Sequence, residues 1–165
     1  IALDRAVGSF AGKSGFSLKR NDASGDDKKE DKKENLTPYA DREEESVTNF
    51  ITGSIFKTKV DPTHPMAFGY GDTYYSLKLG SSAYKHLDSG FNVSYIADDV
   101  TNVSGFAGDA AKSKLGKSLV FGEERMGRGS IIYMVDDPLF RGFWQNGKLF
   151  FANAIFFTNN NKFRL

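Results

Sequence analysis

The sequence has 165 residues, with 22 lysines and arginines against 21 aspartates and glutamates, and a formal net charge of +1. This length suits one domain that buries about 70% of the surface of its unfolded chain. A nearly balanced charge gives no strong attraction to nucleic acid or to an anionic membrane surface. The chain contains no cysteine, which excludes disulfides, thiolate catalysis and cysteine-bound zinc. No apolar run approaches the ~18 residues of a membrane span, so no spanning segment is expected.

The first residues predict the end of a buried strand followed by a short helix. The chain begins with Ile1 rather than with methionine, and residues 1–3 are apolar. We therefore expect a piece of a longer protein, with a sheet that is incomplete at its amino terminus. Residues 4–18 predict a short helix packed on the sheet. Asp4 occupies the strand-to-helix corner where hydrolases and amidotransferases carry a nucleophile, but with no Ser, Cys or Thr there a structural turn is expected.

The next segment is a run of mixed charge over residues 19–35 that contains no large apolar residue. Such a segment cannot bury enough surface to offset its ordering entropy. We interpret it as a disordered or weakly helical surface excursion within a single α/β domain that spans residues 1–165. Residues 36–50 predict a short amphipathic helix or an ordered loop.

The middle of the chain alternates between strand patterns and turn signals. A rigid corner follows the first of these strands at residues 61–65, because two prolines fix φ there. Residues 100–111 predict a loop, and residues 110–116 predict a brief helix. The strands are expected at residues 55–60, 74–79, 91–96, 118–122 and 131–135.

The last third of the chain predicts a strand, an acidic corner and a helix. Asp137 and Pro138 follow the strand at residues 131–135, and acid followed by proline is typical of a helix start. Residues 149–157 are apolar nearly all round, so the helix is expected to be buried, with Phe150, Ile155 and Phe156 in the core or against a part of the protein outside this sequence. Strand, corner and helix together are the repeating unit of an open α/β sheet.

Residues 111–118, AKSKLGKS, match a relaxed phosphate-binding loop. That chemistry needs a strand before the loop and a helix after it, so that helix amides point at the phosphate. Here a helical turn precedes and a strand follows, so nucleotide binding is not expected.

The two histidines, His64 and His86, lack the nearby Glu and second His that a metallopeptidase pair requires. No metal site is therefore expected. For His64 we expect a structural hydrogen bond at the proline corner, and we keep it as a candidate ligand-binding residue.

Four further residues are candidates for ligand binding. Tyr70 and Asp72 lie beside flexible glycines, where they line a cleft or cover a sheet edge. Asp136 lies just past the carboxyl end of a strand, where open α/β sheets bind ligands, and Arg141 follows it closely. The alternative for Asp136 is an ion pair with Arg141 or Arg128, or a helix cap.

Several stretches taken together resemble the carboxy-terminal region of large bacterial (Bacteroidetes-type) zinc-carboxypeptidase-like proteins. The resemblance covers about residues 36–157 and, more loosely, the first eighteen. The stretches that carry it are PYADRE at 38–43, IFK at 55–57, THPMAFGYG at 63–71, SLVFG at 118–122, MGRG at 126–129, DDPLFRGFW at 136–144 and NGKL at 146–149.

The resemblance implies a three-layer, flavodoxin-like α/β domain of the class I glutamine-amidotransferase-like type. It also implies a preceding zinc peptidase domain, so zinc is expected only in that upstream domain and no cofactor is expected in this segment. Active amidotransferases need a Cys and a His with a nearby Glu, whereas this chain has no Cys and His64 is followed by Pro65 and Met66. The amidotransferase reaction is therefore excluded for this segment.

The expected function is that of a non-catalytic accessory domain in a secreted or periplasmic protein, packing on the upstream peptidase domain or forming a homodimer. One alternative is a module that binds a small ligand, a peptide or a glycan. The other is a degenerate hydrolase that uses Asp4 and His64.

Overall fold

The computed structural model describes residues 1–21, 38 and 47–158. The predicted charged excursion at 19–35 and the predicted helix or loop at 36–50 therefore lie largely outside the described residues. The strands in the described residues are β1 (Ala2–Leu3), β2 (Ile51–Val60), β3 (Thr73–Lys78), β4 (Phe91–Ile96), β5 (Asn102–Ala107), β6 (Ser118–Met126) and β7 (Gly129–Met134). The α-helices are α1 (Asp109–Ser113) and α2 (Gln145–Phe156), and the 3-10 helices are Asp4–Ser9, Pro65–Ala67 and Phe140–Gly142.

The seven strands form one sheet in the order β1-β7-β6-β4-β2-β3, with β5 paired to β2. Only the pairing of β1 with β7 is parallel among the described strands; the other pairings are antiparallel. A mixed α/β domain with a curled open sheet is confirmed. A flavodoxin-like arrangement, which needs parallel strands with helices on both faces, is not confirmed.

All five predicted strands are present: β4 has the predicted bounds, β3 is shifted by one residue, and β2, β6 and β7 are longer than predicted. On β2 the buried residues alternate with exposed ones, so that Phe56, Thr58 and Val60 face inward, as the period of two requires. The predicted end of β6 at Gly122 is wrong, because the strand continues to Met126 and turns through Gly127, which has a φ of 58°. A short hairpin turn of this kind joins antiparallel neighbours such as β6 and β7.

The loop predicted at residues 100–111 is also wrong, since β5 lies within it. Gly105 has a φ of 84°, and a Cβ there would lie 2.1 Å from the carbonyl oxygen of Gly53. Glycine is thus the residue that lets β5 approach β2 so closely. In the sequence this same glycine weakens the strand pattern.

The core consists of two apolar clusters. The larger one is built around the rings of Phe56, Tyr74, Phe121 and Phe150, and the Phe121 and Phe150 ring centroids lie 4.9 Å apart. The smaller cluster contains Leu18 and residues of β1, β6 and β7.

The predicted helix at residues 4–18 is only the 3-10 turn Asp4–Ser9, in which Asp4 has a φ of 46°.

The carboxy-terminal helix begins later than predicted. The carboxylate of Asp137 accepts a hydrogen bond from the backbone N–H of Leu139 at 2.8 Å, which closes a local turn, and α2 starts only at Gln145. Phe150 is in the core, as expected. Ile155 and Phe156 are not, because they are 50% and 71% exposed.

The interior polar residue of α2 fixes the helix to the rest of the domain. The side-chain amide of Asn153 donates to the backbone oxygens of Met66 at 3.1 Å and Phe68 at 2.7 Å. This contact holds the 3-10 helix Pro65–Ala67 against α2.

No helix in the described ranges is long and apolar enough to cross a membrane.

Candidate functional site

The proline corner after β2 is built by local hydrogen bonds. Asp61 Oδ1 accepts from the backbone N–H of Thr63 at 3.0 Å and from its hydroxyl at 2.5 Å. His64 then caps the 3-10 helix, since its Nδ1 accepts from the backbone N–H of Met66 at 3.2 Å. The predicted structural hydrogen bond of His64 at this corner is confirmed.

His64 also contacts a buried carboxylate from a distant strand. Its Nε2 lies 3.3 Å from Oε2 of Glu123 on β6, and each side chain is only 8% exposed. Because Nδ1 accepts a hydrogen bond, Nε2 carries a proton and donates to Glu123. Both nitrogens of the imidazole are thus engaged by the protein, so the ring is fixed in orientation.

The two carboxylates of this region are held in the ionised form. Burial raises the pKa of Glu123, but hydrogen bonds from His64 and Ser130, with attraction to His64 and Arg125, outweigh burial and leave that pKa below its ordinary value. The hydrogen bonds from Thr63 lower the pKa of Asp61. Both groups therefore carry a negative charge at neutral pH.

These groups lie on the wall of an open cleft with a volume of about 740 Å³, which we call the His64 cleft. Phe91 stands next to Glu123 across the β4–β6 ladder, with its ring 5.1 Å from that of His64. The guanidinium of Arg125 lies 5.9 Å from the centroid of the Phe91 ring. The lining residues are Asp61, Thr63, His64, Pro65, Phe68, Phe91, Glu123, Arg125, Phe157 and Thr158.

Two further phenylalanines complete the cleft from the α2 side. The rings of Phe68 and Phe157 meet edge to face, with centroids 5.7 Å apart. Phe68 is 66% exposed and Phe157 43% exposed. Large apolar rings left this accessible beside a charged wall are typical of a binding surface.

The chemistry of the cleft favours binding over catalysis. A general base needs a free acceptor within about 3 Å of the proton it takes, and both nitrogens of His64 already have partners. The hydroxyl of Thr63 donates to Asp61, so it is not paired with His64 as an activated nucleophile would be. Within the described part of the chain, no three His, Asp or Glu residues are grouped so that they could hold a metal ion.

Of the predicted site residues, Tyr70 joins α2 to the core. Its hydroxyl donates to the backbone oxygen of Asn146 at 2.7 Å and accepts from the backbone N–H of Phe150 at 3.1 Å. Its ring stacks on that of Phe150 at 3.9 Å, and burial raises the pKa of Tyr70 to about 12. Asp72 is exposed and accepts from the hydroxyl of Thr73 at 3.1 Å.

Asp136 forms a second, closed polar cluster. Its two carboxylate oxygens accept from Ser76 at 2.6 Å and from the Lys78 ammonium at 2.8 Å. Of the alternatives for Asp136, the ion pair with Arg141 is not formed; the Arg141 guanidinium lies 5.1 Å over the ring of Phe140 instead, and the cation paired with Asp136 is that of Lys78. The cavity beside this cluster measures only about 40 Å³.

The structure does not bring the predicted residues into one site. His64 lines the large cleft, whereas Asp136 and Asp4 line the small cavity. The Asp4–His64 pairing that a degenerate hydrolase would need is therefore not assembled. The match to a phosphate loop begins in α1 and ends at the start of β6, so the order of elements is indeed the wrong one for phosphate binding.

The residues that the sequence analysis missed include two on β6 and one on β4. Glu123 and Arg125 lie on the part of β6 that was expected to be a connection, and Phe91 was assigned only to a strand. The sequence signal for an inward-facing Glu123 is its place two residues after Phe121, on the same face of the strand; its partner His64 is not signalled.

Comparisons of this chain with protein-family models, with curated proteins and with solved structures found no match.

Proposed function

We propose that this chain is a non-catalytic accessory domain that binds a short peptide segment or another small amphipathic ligand in the His64 cleft. The observation that carries the proposal is the convergence of accessible phenylalanine rings and fixed polar groups in one open cleft of about 740 Å³. Ligand sites have volumes of ~300–1,000 Å³ and combine apolar walls with a few well-placed polar groups.

The buried contact between His64 and Glu123 supports a binding role because it is rigid. The imidazole is held from both sides, and the neighbouring Phe91 ring packs against it. A wall that is already in place before the ligand arrives loses little conformational entropy on binding.

The resemblance to zinc-carboxypeptidase-like proteins extends the proposal to the whole protein. In this view the chain belongs to the carboxy-terminal region of a secreted or periplasmic protein whose zinc peptidase domain precedes it, and its sheet is related to the flavodoxin-like, amidotransferase-like type. The parallel β1–β7 pair, followed by a turn at Asp4 with positive φ, supports that relation. The ligand would then be a peptide met by the peptidase.

A second function, packing against another domain or a second copy, is favoured by the outer face of α2. Ile155 and Phe156 are 50% and 71% exposed there, and large apolar side chains left accessible at neighbouring positions are typical of contact surfaces. Sedimentation velocity of the 165-residue chain tests self-association. Dimers that dissociate in Phe156→Glu would support the homodimer, and a monomer at all concentrations would reject it.

Binding in the cleft is tested by isothermal titration with capped tetrapeptides, acetyl-Gly-Phe-Xaa-Gly-amide, in which Xaa is Lys, Gln or Glu. Phe68→Ala is expected to weaken the tightest of these peptides about fivefold to tenfold, because partial burial of one aromatic ring is worth about 1 kcal/mol. The matched control is Phe143→Ala, since Phe143 is 59% exposed and is not a lining residue. Equal weakening by both variants, or no binding of any peptide, would reject the proposed function.

A further inference from the structure

The charges that line the His64 cleft do not cancel. Glu123 and Arg125 attract each other, and Glu123 also accepts from His64. Arg125 is in addition held over the ring of Phe91. The described lining residues hold two carboxylates, those of Asp61 and Glu123, and one guanidinium, that of Arg125, so their formal charges leave an excess of negative charge on the wall of the cleft.

The two carboxylate oxygens of Asp61 differ in their hydrogen bonding. Both hydrogen bonds from Thr63 go to Oδ1, and within the described segments Oδ2 has no hydrogen-bond partner. The side chain is exposed. Its lowered pKa keeps it charged well into the acid range. A carboxylate with one oxygen fixed by its own backbone and the other open is oriented before a cation binds.

The aromatic rings of the cleft suit the same kind of ligand. The faces of aromatic rings carry partial negative charge and attract ammonium and guanidinium groups. Arg125 over Phe91 is an example inside this cleft. Phe68 and Phe157 meet at an interplanar angle of 77°, so they form a corner with accessible apolar surface on which an aliphatic stem can lie.

We propose, on the basis of the proposed function, that the His64 cleft selects peptide segments that carry a lysine or arginine side chain. The cation of that side chain binds Asp61, and its aliphatic stem lies on Phe68 and Phe157. Among the described lining residues an anionic side chain meets one cation, Arg125, and that guanidinium is already attracted to Glu123 and lies over the ring of Phe91. A neutral ligand such as a glycan would stack on the rings without any dependence on charge.

The three capped tetrapeptides of the Lys, Gln and Glu series test this selectivity, because capping removes the terminal charges and only one side chain changes. The Lys peptide is expected to bind about fivefold tighter than the Gln peptide, because an exposed ion pair is worth up to about 1 kcal/mol. The Glu peptide is expected to bind most weakly. Raising the salt from 0.05 to 0.5 M should reduce the preference, because exposed charges are screened.

The matched variants are Asp61→Asn and Asp72→Asn. Both aspartates are exposed and accept a hydrogen bond from a threonine hydroxyl, but only Asp61 lines the cleft. Asp61→Asn should reduce the Lys-over-Gln preference to within about twofold, whereas Asp72→Asn should leave it intact. Asn retains an acceptor for Thr63, so the corner is expected to fold in both variants.

The outcomes separate the inference from the function on which it rests. Equal binding of the three peptides, still weakened by Phe68→Ala, would overturn the cation preference and retain the binding site. A preference for the Glu peptide would also overturn it. Binding of none of the peptides would overturn both.

Discussion

Two buried polar pairs of similar exposure lie in very different surroundings. Lys78 and Asp136 are 2% and 7% exposed, and His64 and Glu123 are each 8% exposed. The first pair adjoins a cavity of about 40 Å³, whereas the second forms part of the wall of a cleft of about 740 Å³. Burial of charge alone therefore does not distinguish a candidate site from a structural pair in this chain; the accessible space beside the pair is what differs.

The Lys78–Asp136 pair is satisfied within the protein. Ser76 and Lys78 occupy both carboxylate oxygens of Asp136, and the pair joins β3 to the segment after β7. Charges taken out of water must be compensated by good geometry and by further hydrogen bonds. This pair meets that requirement without a ligand, so its role is structural.

The largest expected effect comes from breaking the closed pair. Lys78→Met leaves Asp136 buried with only Ser76 as its partner, and the free energy of unfolding should fall by about 3–5 kcal/mol. Urea denaturation at pH 7 measures the change. The control is Lys59→Met, because Lys59 lies exposed on β2.

The double variant Lys78→Met with Asp136→Leu sharpens that result. It removes both charges, so much of the lost stability should return. A single Lys78→Met variant that unfolds within about 0.5 kcal/mol of the wild type, the range of ordinary surface substitutions, would show that the pair is not structurally important.

A smaller effect is expected at the open pair. Glu123→Gln replaces a charged acceptor of the His64 hydrogen bond by a neutral one, and should cost about 1–3 kcal/mol at pH 7. The folded-state pKa of Glu123 is lowered, so its stabilisation is fully present above the unfolded pKa of about 4.3. It is lost as the pH falls through the folded-state pKa.

Urea denaturation from pH 7 down to pH 3 measures this dependence. The wild type should lose more stability than Glu123→Gln over the acid part of that range. Parallel curves for the two proteins would contradict the assignment of Glu123 as a carboxylate stabilised by His64.

The smallest effect on stability is expected at the mouth of the cleft. Arg125→Ala removes one exposed cation–π contact with Phe91, worth about 0.5–1 kcal/mol. It also removes a charge that lowers the pKa of Glu123, so the acid loss of stability should begin at a higher pH than in the wild type. In a Glu123→Gln background the substitution should not shift the pH profile, and a shift there would assign the effect to another group.

The sequence was sufficient for the elements whose signal is local. Alternation predicts β2 and β4, and the two prolines at residues 61–65 predict the rigid corner with its histidine hydrogen bond. The antiparallel topology depends on which strands meet, and the strand pattern alone does not contain that information. The strand–corner–helix pattern at Asp136 suggested a parallel α/β unit, but α2 begins only at Gln145.

The site was less predictable because its contacts are distant in sequence. Glu123 meets His64 across 59 positions, and no local pattern signals that pairing. The burial of Lys78 could in principle be predicted, since it shares the inward face of β3 with Tyr74 and Ser76. A buried ammonium group requires a carboxylate as its partner. Residue type alone does not separate the phenylalanines of the core from those of the cleft, since Phe68, Phe91 and Phe157 are exposed.

The most direct test of the account is an amide chemical-shift titration of the 165-residue chain with acetyl-Gly-Phe-Lys-Gly-amide. The account predicts saturable shifts at residues 61–68, 91 and 123–125, which weaken in Phe68→Ala and persist in Phe143→Ala. Shifts centred on Lys78 and Asp136, or no saturable shifts at all, would contradict the claim that the His64 cleft is the binding site.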